Sequence, residues 1–201
     1  MQRDTDNFEH KILANESLYK GFYQMNKLSI AHQRFEGGEQ RIERELLNRP
    51  NAVCVLLVDL AAGKFVFVEQ FRVGAMHTPN PWLIELVAGL IDKDETPEEV
   101  GRREAMEEAG VELGRMEFIT KYFPSPGGTN EWIYLYVAEV DSRQASGIHG
   151  LAEEGEDIRV LTPSIDEGLG WLAEGRINNA ASIIACQWLQ LNLDRLRLTW
   201  A

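Results

Sequence analysis

Residues 89–111, GLIDKDETPEEVGRREAMEEAGV, contain a helix with both of its ends written out. Thr96, with Glu99 three residues later, forms a capping box, and Pro97 takes the first helical position. Gly110 is placed to stop the helix in a left-handed cap, so the expected span is 97–109. On that helix Glu104, Glu107 and Glu108 stand at i, i+3 and i+4, which puts three carboxylates on one face. Like charges at this spacing destabilise a helix unless something neutralises them. One reading is a solvated, Glu-rich face partnered by Arg102 and Arg103. The other is a site for a hard divalent cation, since magnesium works through a few carboxylates together with substrate phosphates.

The sequence around the helix is mostly strand-like. An N-terminal stretch from Ile12 to about Leu47 predicts strands at Tyr19–Tyr23, Lys27–Phe35 and Gln40–Leu47, the last two joined by the turn Glu36-Gly37-Gly38-Glu39. So small a sheet has little core of its own and is expected to pack on something else, such as a second subunit. Stronger strands follow at Ala52–Leu60 and Lys64–Phe71, then a short apolar run at Trp82–Val87. After the helix come strands at Glu117–Phe123 and Trp132–Val140, a long polar loop over 141–157, a short strand at Arg159–Leu161, and helices over 163–174 and 179–197. Trp188, Leu189, Leu191, Leu193 and Leu196 are expected on the core face of the last helix. Strands interleaved with few helices predict an α/β fold, an α/β/α sandwich around a mixed sheet. The expected division is residues 1–49 as N-terminal strands and 50–201 as the main domain.

The net charge of −12 over 201 residues repels nucleic acid backbones and anionic membranes, so neither is an expected partner. It repels a diphosphate equally, so phosphate chemistry here needs a cation as intermediary. Cys54 and Cys186 sit in apolar runs and read as small core residues in a reducing compartment. The N-terminus is polar and mixed in charge, unlike a signal peptide, and no apolar run nears the roughly 20 residues of a membrane helix. The expectation is a cytoplasmic protein. His10, His32, His77 and His149 have no metal-like spacing, and His149 reads as structuring its loop.

The stretch 89–111 resembles the Nudix box: Gly, five residues, Glu, seven residues, then Arg-Glu-aliphatic-x-Glu-Glu-x-Gly-aliphatic. Gly89, Glu95, Arg103, Glu104, Glu107, Glu108 and Gly110 fill the seven fixed positions and Val111 the final aliphatic one, while Ala105 is small for the inner aliphatic position. With each residue type near one in ten, a chance match in this chain is on the order of one in a hundred thousand. Ala88-Gly89, the segment Pro124–Thr129, and Gly147–Gly150 with Glu153–Ile158 look like the bacterial ADP-ribose pyrophosphatases. Pro126, fifteen residues past Val111, resembles a proline that accompanies that subfamily. The resemblance implies a Nudix α/β/α sandwich whose small N-terminal antiparallel sheet exchanges strands in a homodimer. It implies two or three magnesium ions per site, with manganese as a substitute. It also implies hydrolysis of ADP-ribose to AMP and ribose 5-phosphate.

Residue roles follow from the same resemblance. Glu104 and Glu108 are the main expected metal ligands, with the backbone carbonyl of Ala88, and Glu107 ligates or orients. Arg103 pairs with a box glutamate such as Glu95, and Gly89 and Gly110 shape the box. Glu156 resembles a further metal ligand and Glu154 the general base, although a loop reading EEGED is also ordinary solvated charge. Arg72 resembles a phosphate or ribose contact. Phe22 and Tyr23 resemble a pair stacking on adenine, or are packed strand aromatics. Arg44, Glu45 and Arg49 resemble contacts supplied across the dimer, or are solvated hairpin charges. Ser125, Pro126, Gly127 and Glu131 resemble the terminal-ribose side, with Leu90 beside them. Two rivals stand: a Nudix hydrolase of another nucleoside diphosphate sugar such as GDP-mannose, and a non-catalytic module that binds ADP-ribose. The box touches metal and diphosphate and does not separate sugar substrates. A sensor would normally have lost a box glutamate, and none is lost here.

Overall fold

In the computed structural model the described residues are 8–91 and 94–200, and of Glu154 the backbone alone. They fall into two compact units. The first holds the described residues up to Pro50 together with Phe123–Glu131, and the second holds the described residues of 51–122 and 132–200.

The first unit is an antiparallel sheet of β1 (His10–Lys20), β2 (Gln24–Gln33) and β3 (Glu39–Asn48), in that order. Gly37 and Gly38, at φ 87° and 80°, make the turn between β2 and β3 that the two glycines predict. The expected strand at Tyr19–Tyr23 is displaced. The first strand starts nine residues earlier, and Gly21–Tyr23 is the turn, closed by the Gly21 N–H donating to the Tyr23 carbonyl at 3.0 Å. The reason is that β1 is exposed along its whole length and carries irregularities at 12–14 and 17–19, so no period-two pattern survives in it. Segment 123–131 joins this unit where the Leu47 N–H donates to the Gly128 carbonyl at 2.8 Å.

The second unit is a mixed sheet in the order β10-β11-β5-β4-β9-β8. Its strands are β4 (Asn51–Asp59), β5 (Lys64–Phe71), β8 (Met116–Tyr122), β9 (Ile133–Glu139), β10 (Ile148–His149) and β11 (Ile158–Leu161). The short apolar run at 82–87 is divided between two strands, β6 (Trp82–Glu85) on β5 and β7 (Val87–Ile91) on β4. Among these described strands only β4 and β9 pair in parallel. Because side chains alternate along a strand, β4 feeds two cores. Val53, Val55 and Leu57 pack with Val100, Ala105 and Ala109 of α1 (Pro97–Ala109). Ala52, Cys54, Leu56 and Val58 pack with Ile165 of α2 (Ile165–Ala173) and with Ala185, Cys186, Leu189 and Leu196 of α3 (Ala180–Thr199). Helices on both faces make the expected α/β/α sandwich. Leu191, expected in the core, is instead 87% exposed, on the outer side of α3.

Candidate active site

The position of α1 follows from its small residues. A Cβ on Gly101 would stand 2.9 Å from Val55 Cγ2, so this helix lies against the sheet where a larger residue would hold it off. Ala105, small for an inner aliphatic position, is fully buried at the same contact. The capping box forms as written: Thr96 Oγ1 accepts from the Glu99 N–H, and the Glu99 carboxylate accepts from the Thr96 N–H at 2.7 Å. Gly110 ends the helix at φ 67°.

This close packing carries Glu108 into the interior. It is 2% exposed, and its Oε2 accepts from the Ala88 N–H of β7 at 3.0 Å. Burial pushes its carboxyl up to about 8; Glu104 and Glu156 push the same way, while the Ala88 N–H and Arg72 oppose. Glu104 is raised to about 7, first by burial and then by Glu107 and Glu156, against the pull of Arg103. Gly89 is required beside it, because a Cβ there would stand 2.2 Å from Glu104 Oε1. Glu156 arrives from the 141–157 loop. That loop binds α1 through the Gly150 N–H, which donates to the Glu107 carbonyl at 3.3 Å. Glu156 Oε2 accepts from the Leu151 N–H at 3.0 Å, and His149 Nε2 bonds the Ser146 carbonyl oxygen at 2.8 Å, a loop-structuring contact.

Arg103 is the local counter-charge. Its Nη1 donates to Glu104 Oε1 and Glu107 Oε2, both at 2.9 Å, and its Nε lies 3.5 Å from Glu95 Oε1. Among the described residues no three His, Cys, Asp or Glu side chains are gathered as an ion would hold them. The chemistry of the set still fits a divalent cation. A buried carboxylate beside two like charges, bonded to no arginine itself while Arg103 serves Glu104 and Glu107, is short of positive charge, and hard oxygen donors are what magnesium takes. Ligation would take Glu104 and Glu107 from Arg103.

Arg72 follows β5, and its Nε donates to Glu85 Oε2 at 2.6 Å. Glu85 was not singled out in the sequence; its signal is a lone acid in the apolar run 82–87. Leu90 is half-buried on β7, opposite Ala52.

The first unit holds the remaining expected residues. Arg49 brings two of them together: its guanidinium lies 4.8 Å from the Tyr23 ring centroid, and its Nη1 is 3.3 Å from Glu131 Oε2. Glu131 is 3% exposed, and burial raises its carboxyl against the pull of Arg49. Phe22 is 81% exposed at the β1–β2 turn and meets Tyr23 edge-on at 4.8 Å. Both aromatics lie at a turn, where packed strand aromatics were the other reading. Arg44 and Glu45 are exposed neighbours on β3, so they point to opposite faces of the sheet. The Ser125 carbonyl accepts from the Gly128 and Thr129 N–H groups at 3.0 Å, and Pro126 and Gly127 are exposed at that turn.

Glu154, the expected base, has its side chain outside the described residues. Glu154 closes a single 3-10 turn, Ala152–Glu154, and Gly155 follows at φ 71°. The segment is therefore not extended, and Glu154 and Glu156 are not aligned by strand alternation.

The NUDIX domain family matches residues 48–184, more than half of the chain. The chain belongs to the Nudix family. Among Nudix relatives, the ADP-ribose pyrophosphatase of Escherichia coli (strain K12) is 44% identical over 193 residues, 95% of this chain and 92% of that protein. The ADP-ribose pyrophosphatase of Haemophilus influenzae is 42% identical over 195 residues, 94% of this chain and 90% of that protein. The GDP-mannose pyrophosphatase of Cronobacter sakazakii is 33% identical over 183 residues, 90% and 95%. A crystal structure of an ADP compounds hydrolase shares the Nudix fold, with a TM-score of 0.65, 21% identity, and 90% and 95% of the two chains covered.

Proposed function

We propose that this Nudix protein hydrolyses the diphosphate bond of ADP-ribose, releasing AMP and ribose 5-phosphate with magnesium as cofactor. The observation that carries the chemistry is Glu108, buried beside Glu104 and Glu156 with its oxygen on the Ala88 N–H. That group would hold the cation, with Glu107 and the Ala88 carbonyl, as two or three magnesium ions or manganese in their place. The bound cations supply the positive charge that a −12 protein lacks for receiving a diphosphate. The choice of ADP-ribose over GDP-mannose rests on 42–44% identity to proteins of the first name against 33% to one of the second.

In this reading Glu154 is the general base. A glutamate committed to a cation is a poor base, so the proton acceptor belongs elsewhere, on a segment that can close over substrate. The 141–157 loop already reaches α1 through Gly150. Glu154 takes the proton of the attacking water as that oxygen bonds to the adenosyl phosphorus, and the bridging oxygen leaves with ribose 5-phosphate. Arg72 contacts phosphate or ribose. Tyr23 and Phe22 take the adenine, and Ser125, Pro126, Gly127 and Glu131, with Leu90, take the terminal ribose. Arg44, Glu45 and Arg49 are supplied across a homodimer, Arg49 together with the Tyr23 and Glu131 that it contacts within its own chain. The dimer is supported by β1, an edge strand exposed throughout that presents Ile12, Leu13, Leu18 and Tyr19. Two buried cysteines and the acidic surface fit a cytoplasmic enzyme without a nucleic acid partner.

Steady-state rates on ADP-ribose, GDP-mannose and NADH with magnesium test the proposal. The expected result is the highest kcat/KM on ADP-ribose and none with a chelator present. A higher value on GDP-mannose overturns the substrate, and unchanged turnover without a divalent ion overturns the mechanism.

A further inference from the structure

Four asparagines in the first unit are joined amide to amide. The Arg49 N–H donates to Asn130 Oδ1 at 3.1 Å, and Asn130 Nδ2 donates to Asn48 Oδ1 at 3.1 Å. Asn48 Nδ2 then donates to Asn26 Oδ1 at 2.7 Å, and Asn26 Nδ2 donates to Asn15 Oδ1. Every bond runs in the same direction. The relay crosses β1, β2 and the end of β3, and reaches into the segment 123–131. Register explains its course: Ser17 and Leu46 lie opposite Asn26, so Asn15 and Asn48 are its diagonal neighbours, within reach of a side-chain amide.

A sheet this small would be expected to use its few enclosed positions for apolar residues. Asn26 is instead 5% exposed, and a buried amide is costly unless it is bonded. Bonded at both ends, a planar amide fixes the direction of the next one, and a chain of them is stiffer than its separate bonds. What it stiffens is the backbone of Arg49. The Arg49 side chain in turn lies over Tyr23 and against Glu131. Its Nε is enclosed with no hydrogen-bond partner among the described residues, so the guanidinium keeps a donor in reserve.

We propose that Asn15, Asn26, Asn48 and Asn130 are positioning residues for substrate binding. The relay sets Arg49, and through it Tyr23 and Glu131, in the arrangement that receives the nucleotide. This rests on the assignment of ADP-ribose above. Small displacements of a binding group cost roughly tenfold to a hundredfold, which sets the scale of the effect.

The test is Asn48→Leu, which keeps the size of the side chain and cuts the relay between Asn26 and Asn130. KM for ADP-ribose should rise about tenfold with kcat within about threefold, and amide exchange at Arg49 should quicken about tenfold. Asn48→Asp still accepts from Asn130, and Asn26 can turn its amide over to meet it, so KM should stay within about threefold of wild type. Combining Asn48→Leu with Arg49→Ala should add little to Arg49→Ala alone, as expected of residues acting through one another. Should Asn48→Leu fail to fold, Asn130→Ala at the exposed end of the relay is expected to shift KM and exchange the same way. Unchanged KM and exchange in a folded Asn48→Leu, or effects that multiply with those of Arg49→Ala, overturn the proposal. A wild type inert toward ADP-ribose refutes the substrate assignment alone, and the exchange measurement still decides the relay.

Discussion

Replacing Glu108 with glutamine should remove the activity and yet change the metal-free protein's stability in the opposite sense as pH rises. The carboxyl is raised from 4.5 to about 8, first by burial. The folded protein therefore holds this proton more tightly than the unfolded chain does. The stability it contributes is complete below about 4.5 and is lost as the pH climbs through about 8. Between about pH 5 and about pH 8 this one group withdraws roughly 3 to 4 kcal/mol from wild type. The substituted glutamine has no charge to bury and still accepts from the Ala88 N–H, so that slope is absent from the variant. An unpaired glutamine N–H2 costs about 1–3 kcal/mol, but equally at both pH values, so it cancels in the comparison. Thermal unfolding in a chelator, at both pH values, measures the difference. At roughly 2 to 4 °C per kcal/mol for a chain of this size, the melting-temperature gap should move by about 10 °C in favour of Glu108→Gln. Magnesium should stabilise wild type at the higher pH by binding the folded form and leave the variant nearly unmoved, while turnover falls at least about a hundredfold. A gap that stays constant between the two pH values would refute the assignment of the buried proton to Glu108.

Glu154→Gln should lower kcat roughly a hundred- to ten-thousandfold with ADP-ribose affinity in magnesium almost unchanged; a dead Glu153→Gln beside an active Glu154→Gln would move the base one residue, and two active variants would take it off this loop. Gly89→Ala places a methyl group where Glu104 now lies. It should weaken magnesium activation at least about tenfold, because Glu104 must take another rotamer from Cγ outward; wild-type magnesium dependence would count against Glu104 as a ligand. Sedimentation at low micromolar concentration should show a two-chain species, and an active monomer would sink both the dimer and the shared site.

The helix from Pro97 to Ala109 and the three carboxylates on it were legible because everything that specifies them is local. A capping box, a proline, a left-handed glycine and a spacing of three and four residues act within a few turns of chain. The strand at β4 was legible as an apolar run, while the two cores it feeds were decided by what packs on each face. The first strand was not, because an exposed, bulged edge imposes no periodicity on its residues. Nor could any local pattern show that Phe123–Glu131 joins the N-terminal sheet, or that Asn15, Asn26, Asn48 and Asn130 meet across more than a hundred residues of sequence. The sequence by itself determined which residues could carry charge chemistry and on which face of which helix. Only the tertiary structure decided that Glu108 is buried and Glu104 half so, that Glu156 comes to them from a distant loop, and that Arg72 rather than Arg103 is the cation acting on Glu108. Burial and long-range charge are properties of what surrounds a side chain, and the chain's own order does not state its surroundings.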